Sequence, residues 1–207
     1  MSERKYSWTL EEAEKIFFTS DTHFGHENIL KYCSRPFENI KVHDEELIRR
    51  WNEKVPEDGI VFHLGDVAFD TNKRISEILH QLHGKIYLVI GNHDWRRITD
   101  QHKWRFEEMT QQMSIMVGQQ QIILNHYPLL TFAGAWKGLR APWQLFGHVH
   151  SSKYTSKGLD HQRLDYLFTT QYDVGVDNNV FTPVSFGEVK QIITNQQMSL
   201  GMCRNTK

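Results

Sequence analysis

The sequence predicts an α/β protein, a sheet whose first strands are joined by helical crossovers. Three observations carry that reading. Short apolar runs of strand length alternate with amphipathic stretches in the first hundred residues. Glycines punctuate several of the boundaries. The 207-residue chain is long enough to bury a core, with no tandem repeat, low-complexity block or Pro/Gly/Ser-rich linker dividing it. A single domain over residues 1–207 is therefore expected.

In order, strands are expected at Ile16 to Phe18, Ile60 to Leu64, Ile86 to Ile90, Ile122 to Leu124 and Leu145 to Phe146. Helices are expected from Asn28 to Cys33, Asp44 to Lys54 and Asn72 to Leu82. In the third, Ile75, Ile78, Leu79 and Leu82 share one face, and Gly84 is placed to end it in a left-handed turn. The second half reads as richer in strands. Near the end, Ser185-Phe186-Gly187-Glu188 has capping-box spacing, with Val189, Ile192 and Ile193 behind it, so a helix over 186–195 follows. The tail over 198–207 is expected to fray.

Charge excludes one broad class. With 24 basic against 25 acidic residues the net charge is −1, so nothing draws a polyanion by bulk electrostatics. Cys33 and Cys203 are far apart and read as free thiols, which fits a reducing compartment. The first residues lack an apolar signal core, and no run approaches the roughly 18–20 apolar residues of a membrane span, so a cytoplasmic location and no membrane partner are expected.

The 12 histidines are the compositional oddity. Each of the five strand-like runs gives way within one to three residues to metal-ligand types: Asp21 and His23; Asp66; Asn92 and His93; His126; His148 and His150. Loops at the carboxyl ends of strands line the crevice of open α/β sheets, so five such ends predict one shared cleft. Residues two apart in extended backbone point the same way, so Asp21 with His23 and His148 with His150 are expected to chelate as pairs. Imidazole, carboxylate and one amide without thiolate favour manganese, iron, zinc, nickel or cobalt. Seven ligands exceed one tetrahedral ion and suit two divalent metal ions.

The blocks Asp21-Thr22-His23, Gly65-Asp66, Gly91-Asn92-His93-Asp94, His126 and Gly147-His148-Val149-His150 together resemble the calcineurin-like metallophosphoesterase family. The stretches Val174 to Asp177 and Thr182 to Phe186 resemble its small bacterial and phage members. The resemblance implies two mixed β-sheets packed as a sandwich and flanked by helices. It implies a first metal on Asp21, His23 and His150, a second on Asn92, His126 and His148, and Asp66 bridging them. Hydroxide shared by the ions would attack phosphorus, and His93 matches the catalytic histidine beside the leaving oxygen. Asp94 is expected beside His93. Where the phosphoprotein-phosphatase branch carries GDxVDRG, this sequence reads Gly-Asp-Val-Ala-Phe-Asp: Asp70 is displaced and the arginine is missing.

The function implied is hydrolysis of a phosphodiester, phosphomonoester or pyrophosphate bond in a small or nucleotide-like substrate. Little chain is left for an appended substrate domain, which disfavours duplex nucleic acid. The alternative is a non-catalytic metal-binding scaffold for protein partners, a role in which the catalytic histidine is dispensable. Asn92, His26 and Arg35 are candidate substrate contacts; Arg35, Arg96 and Arg97 could each anchor a phosphate but read first as surface charges. His63 is expected in the core, and His43, His80, His83, His102 and His161 on the surface. Phe132, Trp136, Trp143 and Tyr127 are expected to pack in the core rather than to stack on a base.

Overall fold

The structure is a computed structural model that describes residues 6–98, 100–151 and 166–204. Alternation along the strands sets its layers, because successive side chains point to opposite faces. In β2 (Ile16–Thr19), Ile16 and Phe18 join an apolar cluster with Phe62, Leu64, Ile122, Leu124 and Leu145. Phe17 turns the other way, toward Leu47, Trp51, Val61, Ile75 and Ile78. The first cluster fills the space between two sheets, and the second lies between one sheet and its helices.

The first sheet has the order β10-β2-β3-β4-β5, with β3 (Ile60–His63), β4 (Lys85–Val89) and β5 (Phe106–Thr110) parallel to β2, and β10 (Val184–Ser185) antiparallel at its edge. The second has the order β1-β6-β7-β8-β9: β1 (Ser7–Trp8), β6 (Gln112–Val117), β7 (Gln120–Asn125), β8 (Trp143–Phe146) and β9 (Gln171–Asp173). Among the described residues, only the β6–β7 hairpin is antiparallel in that sheet. Two mixed sheets face each other, as the resemblance implies. The carboxyl ends of β2, β3 and β4 meet those of β7, β8 and β9 along one rim. A parallel bridge from Ser20 to Gly175 and a bond from Val176 N–H to the Ser20 carbonyl tie the sheets there.

Five helices flank the sheets among the described residues: α1 (Ile29–Tyr32), α2 (Ile40–Lys54), α3 (Asn72–Leu79), α4 (Asp94–Arg97) and α5 (Phe186–Arg204). Helix α2 starts a turn before the expected Asp44 because the Asn39 side chain accepts the Val42 N–H at 3.0 Å, a capping signal ahead of the apolar stripe. Helix α3 ends at Leu79, earlier than expected. Gly84 does take a left-handed φ of +84°, but in the turn leading to β4. Helix α5 extends through Arg204, past the 195 at which the helix was expected to end; residues 205–207 lie outside the described residues. Its capping box forms as expected: the Ser185 N–H donates to Glu188 Oε2 at 2.7 Å, and the Glu188 N–H to Ser185 Oγ at 3.2 Å.

Candidate metal centre

All five ligand blocks reach the common rim, but the paired ligands converge through a different backbone from the extended one expected. Asp21, His23, Asp66, His148 and His150 all have positive φ, from 47° to 69°. Left-handed backbone costs roughly 1–2 kcal/mol per non-glycine residue, and such strain gathers at functional sites. Close loop packing holds it in place. A Cβ on Gly147 would overlap Ser20 Oγ and Asp21 Oδ2, and one on Gly91 would overlap Asp66 Oδ1.

Each carboxylate commits one oxygen to the fold and leaves the other facing the cleft. Asp21 Oδ2 accepts the His148 N–H at 2.9 Å, while Oδ1 is buried without a hydrogen-bond partner. That oxygen lies 4.0 Å from His23 Nε2, also buried and unpartnered, and 3.8 Å from His150 Nε2. Asp66 Oδ1 accepts the His93 N–H at 2.9 Å. Its Oδ2 stands 3.6 Å from His23 Nε2, 3.6 Å from His126 Nε2 and 3.9 Å from His93 Nε2. Asp21, His23 and His150 thus form one group of convergent donor atoms, and Asp66, His126 and His148 another. Asn92 joins the second group, its Oδ1 2.9 Å from His126 Nε2. Unpartnered buried oxygen and nitrogen aimed at one point, in a donor set of carboxylate, imidazole and amide, fit divalent transition metals.

Outer contacts fix which imidazole nitrogen faces inward. His126 Nδ1 lies 2.7 Å from the Leu64 carbonyl, which can only accept, so Nδ1 carries the proton and Nε2 is left as a donor atom. His150 Nδ1 contacts Asp177 Oδ2 at 2.7 Å, turning its Nε2 toward Asp21. Asp177 in turn receives a two-pronged bond from Arg35, Nε to Oδ1 at 2.9 Å and Nη2 to Oδ2 at 2.7 Å. Arg35 also donates to the backbone carbonyls of Asp21 at 2.7 Å and Thr22 at 3.0 Å. His43 and Asp44 extend this chain to the Gly25 N–H.

Electrostatics follow burial. Desolvation and the neighbouring Asp21 charge push Asp66 up to about 7. Burial, followed by His150 and other nearby cations, holds His23 well below the usual histidine range. Burial also opposes the charge on His150, but Asp21 and the Asp177 bond outweigh it and hold that imidazole well above its ordinary value.

Several expectations need correction. Arg35 is neither a surface charge nor a substrate contact, since its guanidinium is fully buried against Asp177. Asp94 does not orient the His93 ring: its carboxylate accepts the N–H groups of Asp66 at 2.8 Å, Val67 at 2.9 Å and Gly91 at 2.8 Å, clamping two ligand loops together. His43 and His102 are buried rather than exposed; His161 lies outside the described residues. His63 is a core histidine as expected, stacked on Trp51 and bonded to Thr22 Oγ1 at 3.0 Å. Trp143 and Phe132 are buried, but Trp136 and Tyr127 are exposed. His26 sits at the rim, stacked on Phe69 and 3.3 Å from His23 Nδ1. Asp177 was missed as a contact residue although it closes the Val174 to Asp177 stretch that the resemblance singles out; Phe69, packed against His23, His26 and His93, has no comparable signal.

The profile of the calcineurin-like phosphoesterase superfamily domain matches residues 15–170, which span both ligand groups. The chain belongs to that superfamily. The superfamily is one of metal-dependent phosphoesterases, and two candidate metal-ligand groups of the described residues lie within the matched span. An uncharacterized protein of Methanocaldococcus jannaschii is 46% identical over 82 residues, which is 39% of this chain; the match spans about half, 47%, of that relative. The gene 66 protein of Mycobacterium phage L5 is 27% identical over 187 residues, covering 78% of this chain and 86% of its own. A protein of unknown function from Aquifex aeolicus, AQ665, shares the fold with a TM-score of 0.64 at 24% identity, over 86% of this chain and 98% of its own.

Proposed function

We propose that this superfamily member hydrolyses a phosphodiester, phosphomonoester or pyrophosphate bond in a small or nucleotide-like substrate, using two divalent metal ions. The observation that carries the reading is Asp66 Oδ2, equidistant at 3.6 Å from a histidine of each donor group. Asp21, His23 and His150 would hold one ion and Asn92, His126 and His148 the other, with Asp66 shared. Manganese, iron, zinc, nickel or cobalt suits this donor set. When bound, such ions neutralise phosphoryl oxygens and acidify water.

The chain's own residues supply the rest. His93 differs from the other histidines of the cleft: its backbone is anchored to Asp66, yet its side chain is 44% exposed. It is placed to protonate a leaving oxygen or to hydrogen-bond the phosphoryl group. Burial lowers its pKa while Asp94 opposes the shift. Asp66 and Asp21 offer one oxygen each to the cleft and keep the other on the backbone, so neither needs to reorient during turnover. An exposed imidazole at the mouth of the cleft supports the catalytic reading over a non-catalytic scaffold.

The test is hydrolysis of bis-p-nitrophenyl phosphate and p-nitrophenyl phosphate by metal-stripped protein, with manganese, nickel, zinc or magnesium restored. His93→Ala is expected to keep its metal content and lose about 10²–10⁴-fold in turnover. Undiminished activity in that variant would remove His93 from the chemistry. Absence of turnover with any metal, although two ions bind, would favour the scaffold.

A further inference from the structure

Beside the second donor group lies an open recess of about 510 Å³ that the reading above does not use. Tyr127, Leu130, His148, Val149, Tyr166 and Leu167 line it, and no charged side chain does so among the described residues. Two of these walls are strongly exposed, Leu130 at 80% and Tyr166 at 79%. Exposed apolar side chains of this size next to a polar cleft mark a binding surface rather than a core. The recess is continuous with the site through His148, and Tyr127 ties them together: its ring packs edge-on to both His126 and His148, at 4.9 and 4.6 Å between centroids.

We propose that this recess is a substrate subsite for a neutral aromatic ring of nucleobase size, seated against Tyr127 and Tyr166 while its phosphate lies at the donor groups. The inference rests on the phosphoesterase reading and narrows it to nucleoside phosphates and similar aryl esters. The lining chemistry selects the ring over the alternatives. A second phosphate or a polynucleotide backbone calls for lysine or arginine, and among the described residues neither lines the recess. A flat ring gains from aromatic faces and apolar walls without needing a charge. The volume falls in the range that takes a ligand of that size.

The experiment measures binding to the full-length, manganese-loaded protein by calorimetry. One ligand is the phosphonate analogue of AMP in which carbon replaces the bridging oxygen, so that nothing is hydrolysed. The other is the same phosphonate on bare ribose. Wild-type protein is expected to prefer the adenosine ligand by at least about tenfold, in line with base–aromatic stacking. Leu130→Ala and Tyr166→Ala, both at exposed positions, are expected to fold normally and to cut that preference about threefold or more, with ribose phosphonate affinity unchanged. Equal affinities for the two ligands, no binding of either, or a preference untouched by both variants would overturn the subsite. Hydrolysis of bis-p-nitrophenyl phosphate is scored separately. Loss of that activity with the adenosine preference intact sinks the phosphoesterase reading, whereas activity with equal phosphonate affinities sinks the subsite alone.

Discussion

Single atoms divide the labour in the cleft. Asp66 gives one oxygen to the His93 N–H and the other to histidines of both donor groups, so Asp66→Asn is expected to empty both metal sites together. Metal analysis decides it, and two full equivalents retained would contradict a shared ligand. Arg35 acts one shell further out. It grips Asp177, which orients His150, and it fixes the backbone of Asp21 and Thr22. Arg35→Lys keeps a charge but loses the planar fork. It is expected to weaken metal binding about 10–100-fold, the usual effect of removing a group that orients a ligand. Titration with manganese would show it, and unchanged affinity would reduce Arg35 to a structural ion pair. The donor residues that converge at the rim were legible because each follows a short apolar run. Arg35 was not, since sequence gives an arginine beside proline no sign that a carboxylate 142 positions away will bury it.

Helices and strands were legible in proportion to their local signal. The five apolar runs all became strands, whereas β5 and β6 were missed because Phe106–Thr110 and Gln112–Val117 interleave polar residues as one-sided strands do. The two-residue strands β1 and β10 carry no pattern of their own and exist through their neighbours. Helix ends were marked unevenly: α3 and α5 began where expected, whereas α2 began a turn early and ended at the expected Lys54. Helix α5 offers the test: Ser185→Ala removes the hydroxyl that accepts the Glu188 N–H. A loss of about 1 kcal/mol is expected, seen as a melting temperature lower by about 2–4 °C. Activity per folded molecule should not change, as the cap is remote from the ligand residues in sequence and makes none of their bonds. An unchanged melting temperature would mean that packing alone holds the helix start.

At the scale of the whole molecule, the strain at the rim and the sandwich beneath it belong together. Five ligand residues in left-handed backbone and a buried Asp66 pushed up to about 7 oppose folding of the metal-free chain. Cations that bind only the folded form repay this through mass action. A site filled at about 100 times its Kd adds about 2.7 kcal/mol, so manganese is expected to raise the melting temperature of stripped protein by about 5–10 °C, reversibly with chelator. A melting temperature indifferent to metal would show that the preformed rim has no selective affinity for it. The sandwich itself was less legible than the site. Alternation shows that a strand has two faces, but only the tertiary structure shows that one face of each sheet meets the other, as Phe62 meets Leu124 in a shared cluster.

The seam between the two sheets has a further consequence. Asp21, His23, Asp66, Asn92 and His93 all precede the β6–β7 turn at Gly118, and His126, His148 and His150 all follow it. A cut in that turn leaves two fragments, neither carrying either convergent donor group entire. The proposed chemistry therefore requires both pieces of the polypeptide. Recovered turnover would be a readout of reunion, and the protein could serve as a two-part reporter that lights only when its halves are brought together.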